Sequence, residues 1–404
     1  MRILHVLAQL PSKTGSGVYF RNIIRGLAKN HEQACIYGYQ GDYQFDLIPE
    51  ANQYTVRFQT EELPFDIVGM SDEMPYASTK YCDLTGEMQS QWTASFRAAL
   101  NRAEKSFQPQ VIFSHHLWML TALVRETFLE EKIIGISHGT DIRQCEKNPD
   151  LKERYLGKLD RLDRIFSLNE NQVPEIMENF GIERDRIRVV GGGFDDELFY
   201  PAEGKEISES VRIVYAGKLS QAKGIYELIE VLLQLQREGE RVSLLLIGAK
   251  DEEQKTEFEA LTQDLDAVTI STIIPQGELA EILRQSDLFV LPSYYEGLGL
   301  VALEALGSGL RVVSTEILGL MELLGPQING SGVIEYVELP RLYDADKPYP
   351  EDLEGFRDRL ANGIRKQLRR IEQEETISPR IQEAVLEHSW TRIVKGMEEE
   401  INSI

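Results

Sequence analysis

From residue 2 the chain alternates short, continuous apolar runs with longer segments in which apolar residues recur every three or four positions. Arg2–Ala8, Gln33–Gly38, Val111–Ser114, Lys132–Ser137 and Arg164–Leu168 are runs of the first kind, and Val18–Lys29 is a segment of the second. A run without polar interruption suits a strand buried on both faces. Spacing near 3.6 suits a helix with one buried side. Their alternation predicts βαβ units and a mostly parallel sheet. The rhythm stops over Arg57–Gln91, which carries Pro64 and Pro75 and is expected to be an irregular excursion. It restarts with strand candidates Arg212–Tyr215, Val242–Ile247, Ala267–Ile270, Leu288–Leu291 and Arg311–Ser314, and a helix over Ile225–Arg237. The polar stretch Pro201–Glu206 between the two series predicts a linker. The charged segment Asp352–Glu375 predicts a solvated helix. Trp390–Ile401 predicts a helix with Trp390, Ile393, Val394 and Met397 on one face.

A length of 404 residues fits two such domains, each able to bury a core. The formal net charge of −23 repels phosphate, which argues against nucleic-acid binding and against broad docking on anionic lipid. Cys35, Cys82 and Cys145 are odd in number and far apart, so neither a disulfide framework nor a Cys-based zinc site is implied. No apolar run approaches the ~20 residues of a membrane span. The apolar start Met1–Leu7 is followed at once by Gln9, Ser12 and Lys13, so it reads as a first strand rather than a signal core. The expected location is cytoplasmic, peripheral at the inner membrane face at most.

The richest chemistry follows Leu288–Leu291, in Pro292-Ser293-Tyr294-Tyr295-Glu296-Gly297-Leu298-Gly299 and a helix from about Leu300. Gly297 and Gly299 let the backbone approach a ligand closely. The helix start offers unpaired N–H groups and a positive dipole end, which suit a diphosphate. Glu296 and Glu304 make poor phosphate ligands and good acceptors for sugar and ribose hydroxyls. A second loop, Gly217-Lys218-Leu219-Ser220-Gln221-Ala222-Lys223-Gly224, carries two cations at close spacing after a strand.

Glu296-Gly297-Leu298-Gly299-Leu300-Val301-Ala302-Leu303-Glu304 resembles the Glu-x7-Glu mark of the family-4 retaining glycosyltransferases of GT-B fold. The resemblance extends to Gly319-Leu320-Met321-Glu322 and to the Lys218–Lys223 loop, where the family usually has Arg before Lys. It departs at Arg311, where the family usually has Pro. It implies an α/β architecture of two facing Rossmann-like domains with an interdomain cleft. Residues 1–200 would form the acceptor domain, with the helix 389–404 packing back on it, and 207–385 the donor domain. It also implies retention of anomeric configuration, with Glu296 on the donor sugar, Glu304 on the ribose, and backbone near Ile274 on the base. Gly217, Gly297, Leu298, Gly299 and Leu300 would complete the donor site. Lys218 and Lys223 would stabilise the charge growing on the leaving diphosphate, so that no metal or other cofactor is required.

On the acceptor side, Pro11-Ser12-Lys13-Thr14-Gly15-Ser16-Gly17 follows the first strand. A dinucleotide fingerprint is its rival reading, but Phe20 stands where the third Gly belongs. The resemblance places Gly15, Ser16 and Gly17 beside the donor phosphate and His138, of Ser137-His138-Gly139-Thr140-Asp141, on the donor sugar. Asp141 and Arg143 follow: Arg143 either binds an anionic acceptor group or pairs with Asp141, the commoner outcome for an exposed Arg. His115 and His116 end another strand and read as acceptor lining, as structure, or as metal ligands. Neighbours on an extended chain point to opposite faces and rarely share a metal. Asp344-Ala345-Asp346 looks like a metal-binding Asp-x-Asp but sits in a late loop, and is read as a decoy.

The expected activity is transfer of a hexose-type sugar from a nucleoside diphosphate sugar to a hydroxyl of a glycan, lipid-linked or small-molecule acceptor, in cell-surface glycan or glycoconjugate synthesis. The rivals are a nucleotide-sugar epimerase, a dinucleotide oxidoreductase and a non-catalytic nucleotide-sugar-binding protein.

Overall fold

The computed structural model describes residues 1–12, 14–202, 204, 209–249, 262, 265–272, 274–344 and 346–404. The chain divides into two compact units, Met1–Gly191 with Ile393–Ile404, and Gly192–Arg392.

In the first unit β1 (Arg2–Leu7) leads into α1 (Gly15–Leu27), β2 (Glu32–Tyr39), β3 (Val56–Arg57), the short pair β4 (Val68–Gly69) and β5 (Thr79–Lys80), and α2 (Gly86–Ser106). There follow β6 (Val111–His115), α3 (Met119–Thr127), β7 (Lys132–Ile136), α4 (Thr140–Lys147), α5 (Pro149–Tyr155), β8 (Arg164–Ser167), α6 (Gln172–Phe180) and β9 (Ile187–Val189). Among the described residues the main sheet runs β3-β2-β1-β6-β7-β8-β9, parallel throughout. Strand order reverses between β1 and β6. The loops leaving these two strands therefore diverge and open a crevice at their carboxyl ends.

The second unit repeats the plan. Its elements are β10 (Val211–Ala216), α7 (Ile225–Arg237), β11 (Val242–Ile247), β12 (Val268–Ser271), α8 (Gln276–Gln285), β13 (Leu288–Leu291), α9 (Leu300–Gly307), β14 (Arg311–Thr315), α10 (Leu318–Asn329) and β15 (Ile334–Val337). A hairpin of β16 (Leu342–Asp344) and β17 (Lys347–Pro348), then α11 (Leu353–Glu372) and α12 (Pro379–Leu386), precede α13 (Trp390–Ser403), which begins in this unit. Among the described residues the sheet order is β12-β11-β10-β13-β14-β15, again parallel, with its reversal between β10 and β13. Every residue of β13 is buried, as its unbroken apolar run requires. α7 buries Ile225, Leu228, Ile229, Leu232 and Leu235, one face at helical spacing.

Three expectations change. α1 begins at Gly15, before Val18, because the Thr14 hydroxyl accepts from the Gly17 N–H at 3.1 Å and caps it. The excursion ends earlier than expected, since a Thr85 cap starts α2 at Gly86. The charged segment after Asp352 is not simply solvated: α11 buries Phe356, Leu360, Ile364 and Leu368, and Gly363 lets it lie close on Val313 and Val337. Residues 203 and 205–206 of the anticipated linker lie outside the described residues, as does residue 13.

Residues 393–404 belong to the first unit. A Cβ at Gly26 of α1 would stand 2.8 Å from Val394 Cγ2, so only glycine admits this helix crossing. Glu398 meets His31 at 2.8 Å, and Glu400 meets Arg164 and Arg188 at 3.1 and 3.0 Å. Among the described residues no helix is long and apolar enough to cross a membrane.

Candidate functional site

In the second unit the carboxyl ends of β10 and β13 carry the residues expected on the donor side. α7 starts from Gly224 at φ +65°, and a Cβ there would stand 2.2 Å from the Pro292 carbonyl oxygen. The loops after the two strands are thus pressed together, which sequence spacing could not show. The contact brings Lys223 Nζ to 2.7 Å from Glu296 Oε1 and 3.0 Å from the Tyr295 carbonyl. Ser293, fully buried, donates to the same Glu296 oxygen at 3.0 Å. Lys218 is exposed, and its carbonyl accepts from the Tyr215 hydroxyl at 3.0 Å. Gly217 lies against Gly248, where a Cβ would meet the Gly217 carbonyl oxygen.

The turn into α9 passes Gly297, open around its Cα, and Gly299 at φ +61°. A Cβ at Gly319 would stand 2.3 Å from the Gly297 carbonyl oxygen, which gives that glycine its physical reason. Leu298 and Leu300 direct their side chains at Gly192, so they offer a ligand their backbone. The N–H groups of Leu300 and Val301 have no partner among the described residues, as expected at a helix start. Glu304, half-buried on α9, accepts no side-chain hydrogen bond from the described residues. Burial, then the charge of Asp195, pushes its carboxyl up to about 7. Ile274 is half-buried after β12, with residue 273 outside the described set.

In the first unit the loop after β1 and the ends of β6 and β7 carry the other residues. Gly15 is open, and a Cβ at Gly17 would stand 2.6 Å from the Ser12 nitrogen. Ser16 Oγ accepts from Gln9 Nε2 at 2.7 Å, fixing the loop below the helix start. Across the sheet, His115 Nδ1 lies 3.1 Å from His138 Nε2, and the His116 ring centroid lies 4.7 Å from that of His138. Tyr19 packs edge-on to His138 at 5.3 Å. Burial pushes His138 down to about 3. It also pushes His115 and His116 well below the usual imidazole range, with their neighbours' charges adding to the effect.

The expectation that His115 and His116 face opposite ways fails because the chain is not extended there. His116 adopts φ +68°, a left-handed turn that brings both rings against His138. Among the described residues no three His, Cys, Asp or Glu groups are arranged to hold a metal ion. Asp141 does not pair with Arg143. Its buried carboxylate accepts from the backbone N–H groups of Leu117, His138 and Ile142 and from the Ser137 hydroxyl, at 2.8, 3.2, 3.2 and 3.1 Å. It therefore clamps the ends of β6 and β7 together, while Arg143 is exposed. Arg311 opens β14, as expected, and is buried, donating to the carbonyls of Gly332 and Glu375. Asp344 bonds Lys347 at 2.9 Å in the β16–β17 turn, with residue 345 outside the described set.

Sequence reasoning missed Ser293, Tyr19 and Gly224. Ser293 follows Pro292 directly after the strand, which is its only signal; the other two act through contacts distant in sequence.

The profile described as Glycosyl transferases group 1 matches residues 196–338, and that described as Glycosyltransferase Family 4 matches residues 13–198. The chain belongs to the group 1, family-4 glycosyltransferases. This glycosyltransferase-family chain is 26% identical over 259 residues to a glycogen synthase of Mycobacterium tuberculosis, covering 59% of the chain and 61% of that protein. It is 27% identical over 215 residues to the amylovoran biosynthesis glycosyltransferase AmsK of Erwinia amylovora, covering 50% of the chain and 51% of AmsK. It thus spans between about half and two thirds of these curated relatives' length. HepE of Anabaena, solved in complex with UDP, shares 16% identity at a TM-score of 0.65, covering 100% of both chains. That likeness is one of fold, and the fold is GT-B, with two Rossmann-like domains.

Proposed function

We propose that the protein is a metal-independent retaining glycosyltransferase using a nucleoside diphosphate sugar. The observation that carries the reading is the pairing of Lys223 with Glu296 beside the open start of α9. A sugar diphosphate fits that set. Lys218, Lys223 and the free N–H groups of Leu300 and Val301 stabilise the departing diphosphate, which gains charge as the glycosidic bond breaks. Glu296 accepts from donor-sugar hydroxyls, and Glu304 from the ribose. His138, a neutral imidazole, bonds a sugar oxygen. Attack comes from the same face as departure, with the leaving phosphate taking the acceptor's proton, so anomeric configuration is retained. The acceptor is a hydroxyl compound bound by the first unit near His115, His116 and Arg143. The likeness to AmsK, a glycosyltransferase of amylovoran biosynthesis, supports a biosynthetic role, which on this reading is the making of cell-surface glycan or glycoconjugate from the cytoplasm.

The test is a panel of nucleoside diphosphate sugars screened by thermal shift, then by product analysis. A ligand at ~100 times its dissociation constant stabilises the fold by ~2.7 kcal/mol. Transfer to an added acceptor, lost in Lys223→Ala, is the expected result. Turnover of the donor with no acceptor present would instead identify an epimerase, and a trapped glycosyl-enzyme adduct would overturn same-face attack.

A further inference from the structure

His115 and His138 meet in an unusual way. Their rings are tilted by only 14° with centroids 5.3 Å apart, yet two ring nitrogens lie 3.1 Å from each other. Rings stacked face to face could not bring nitrogens that close without their planes colliding. The two imidazoles therefore lie edge to edge in nearly one plane, the arrangement of a straight N–H···N hydrogen bond.

That bond holds one proton, and burial keeps both rings neutral at neutral pH. A neutral imidazole has one N–H, so only two assignments exist. If His138 Nε2 donates, the proton of His115 must sit on its Nε2, which is buried and has no partner among the described residues. An orphaned buried N–H is the rarer and costlier outcome; a bare lone pair there costs less. The favoured assignment has His115 Nδ1–H donating and His138 Nε2 accepting. The proton of His138 then stands on Nδ1, the nitrogen with no partner among the described residues. The ring is held in place by Tyr19 and His116, and its backbone by Asp141.

We propose that His115 is a positioning residue that sets His138 as a hydrogen-bond donor through Nδ1, so that the site selects an oxygen acceptor on the sugar substrate. The sugar as substrate rests on the proposed function; the proton assignment does not. The test uses the full chain labelled with 15N-histidine. Its six histidines are few enough to assign by single substitutions. The ring 15N shifts at neutral pH, read without substrate, are expected to show His138 protonated on Nδ1. In His115→Phe they should show a mixture of the two forms, with kcat down roughly two- to tenfold, in proportion to the fraction that loses the Nδ1 form. His115→Asn, whose amide can stand where Nδ1 stood, should keep the Nδ1 form, and it serves if the Phe variant does not fold. A His138 proton on Nε2 in the wild type, or an unchanged tautomer in His115→Phe, would overturn the proposal. Failure of every donor to react would sink the transferase reading while the shifts still decide the proton assignment.

Discussion

The two units use one strand plan for opposite chemistry. At the reversal between β1 and β6 the first unit gathers three neutral imidazoles on strand ends that a buried carboxylate clamps. At the reversal between β10 and β13 the second gathers two lysines, two glutamates and an open helix start. Topology explains where each cluster stands, because the crevice at a strand-order reversal is present before any residue is chosen. Burial explains what each cluster can be. His115 and His116 are buried and His138 half-buried, packed among Phe20, Tyr19 and one another, so they stay uncharged. Lys223 and Glu296 keep about a quarter of their side-chain surface, enough to bear charge and meet an ionic ligand. On the proposed function, one unit recognises by hydrogen bonding and the other by charge.

The largest effect that would sharpen this contrast is on the charged side. Lys223→Ala should lower kcat by roughly 10²–10³, the usual cost of losing one transition-state charge stabiliser. A smaller loss would mean that Lys218 carries the leaving group alone. His138→Ala should cost less, about ten- to a hundredfold in kcat/KM, because one neutral hydrogen bond is removed. If it cost as much as Lys223→Ala, the division of labour would be wrong.

Stability against pH separates the units next. His5 and His138 are held near 3 in the folded chain against 6.5 unfolded. Between those values the unfolded chain binds more protons, so their contribution is full above 6.5 and is lost as pH falls below it. Glu304 runs the other way. Its carboxyl rises from 4.5 to about 7 on folding, so its contribution is full below 4.5 and is lost as pH climbs through 7. Melting curves should show Tm falling on the acid side through the imidazoles. Glu304→Gln should flatten the decline on the neutral side and leave the acid limb alone, the smallest of these effects. An acid limb flattened by that variant would break the assignment.

The sequence-based reading and the structure agree best where a residue's role is set by near neighbours. β11, β13 and α7 are read to the residue, since continuous burial or a 3.6-residue face leaves a local trace. Glu296, Gly297, Gly299 and Glu304 are legible as a motif for the same reason. The His115–His138 bond spans 23 residues and two strands, so nothing in either strand announces it. The clamp by Asp141 is hidden likewise, since an Asp near an Arg suggests an ion pair until the backbone groups around it are known. His116 was misread because a left-handed conformation at a non-glycine residue has no reliable sequence signal.

The return of residues 393–404 to the first unit has a consequence for synthesis. At ~5–20 residues per second, the 192–392 stretch takes on the order of ten to forty seconds to emerge. Throughout that interval the α1 surface around Gly26 lies bare on the ribosome, already shaped for a helix that has not yet been made. The first unit is begun before the second and finished after it. A chaperone that shields this strip during elongation would protect the chain, and a stalled ribosome would release it with its first half unsealed.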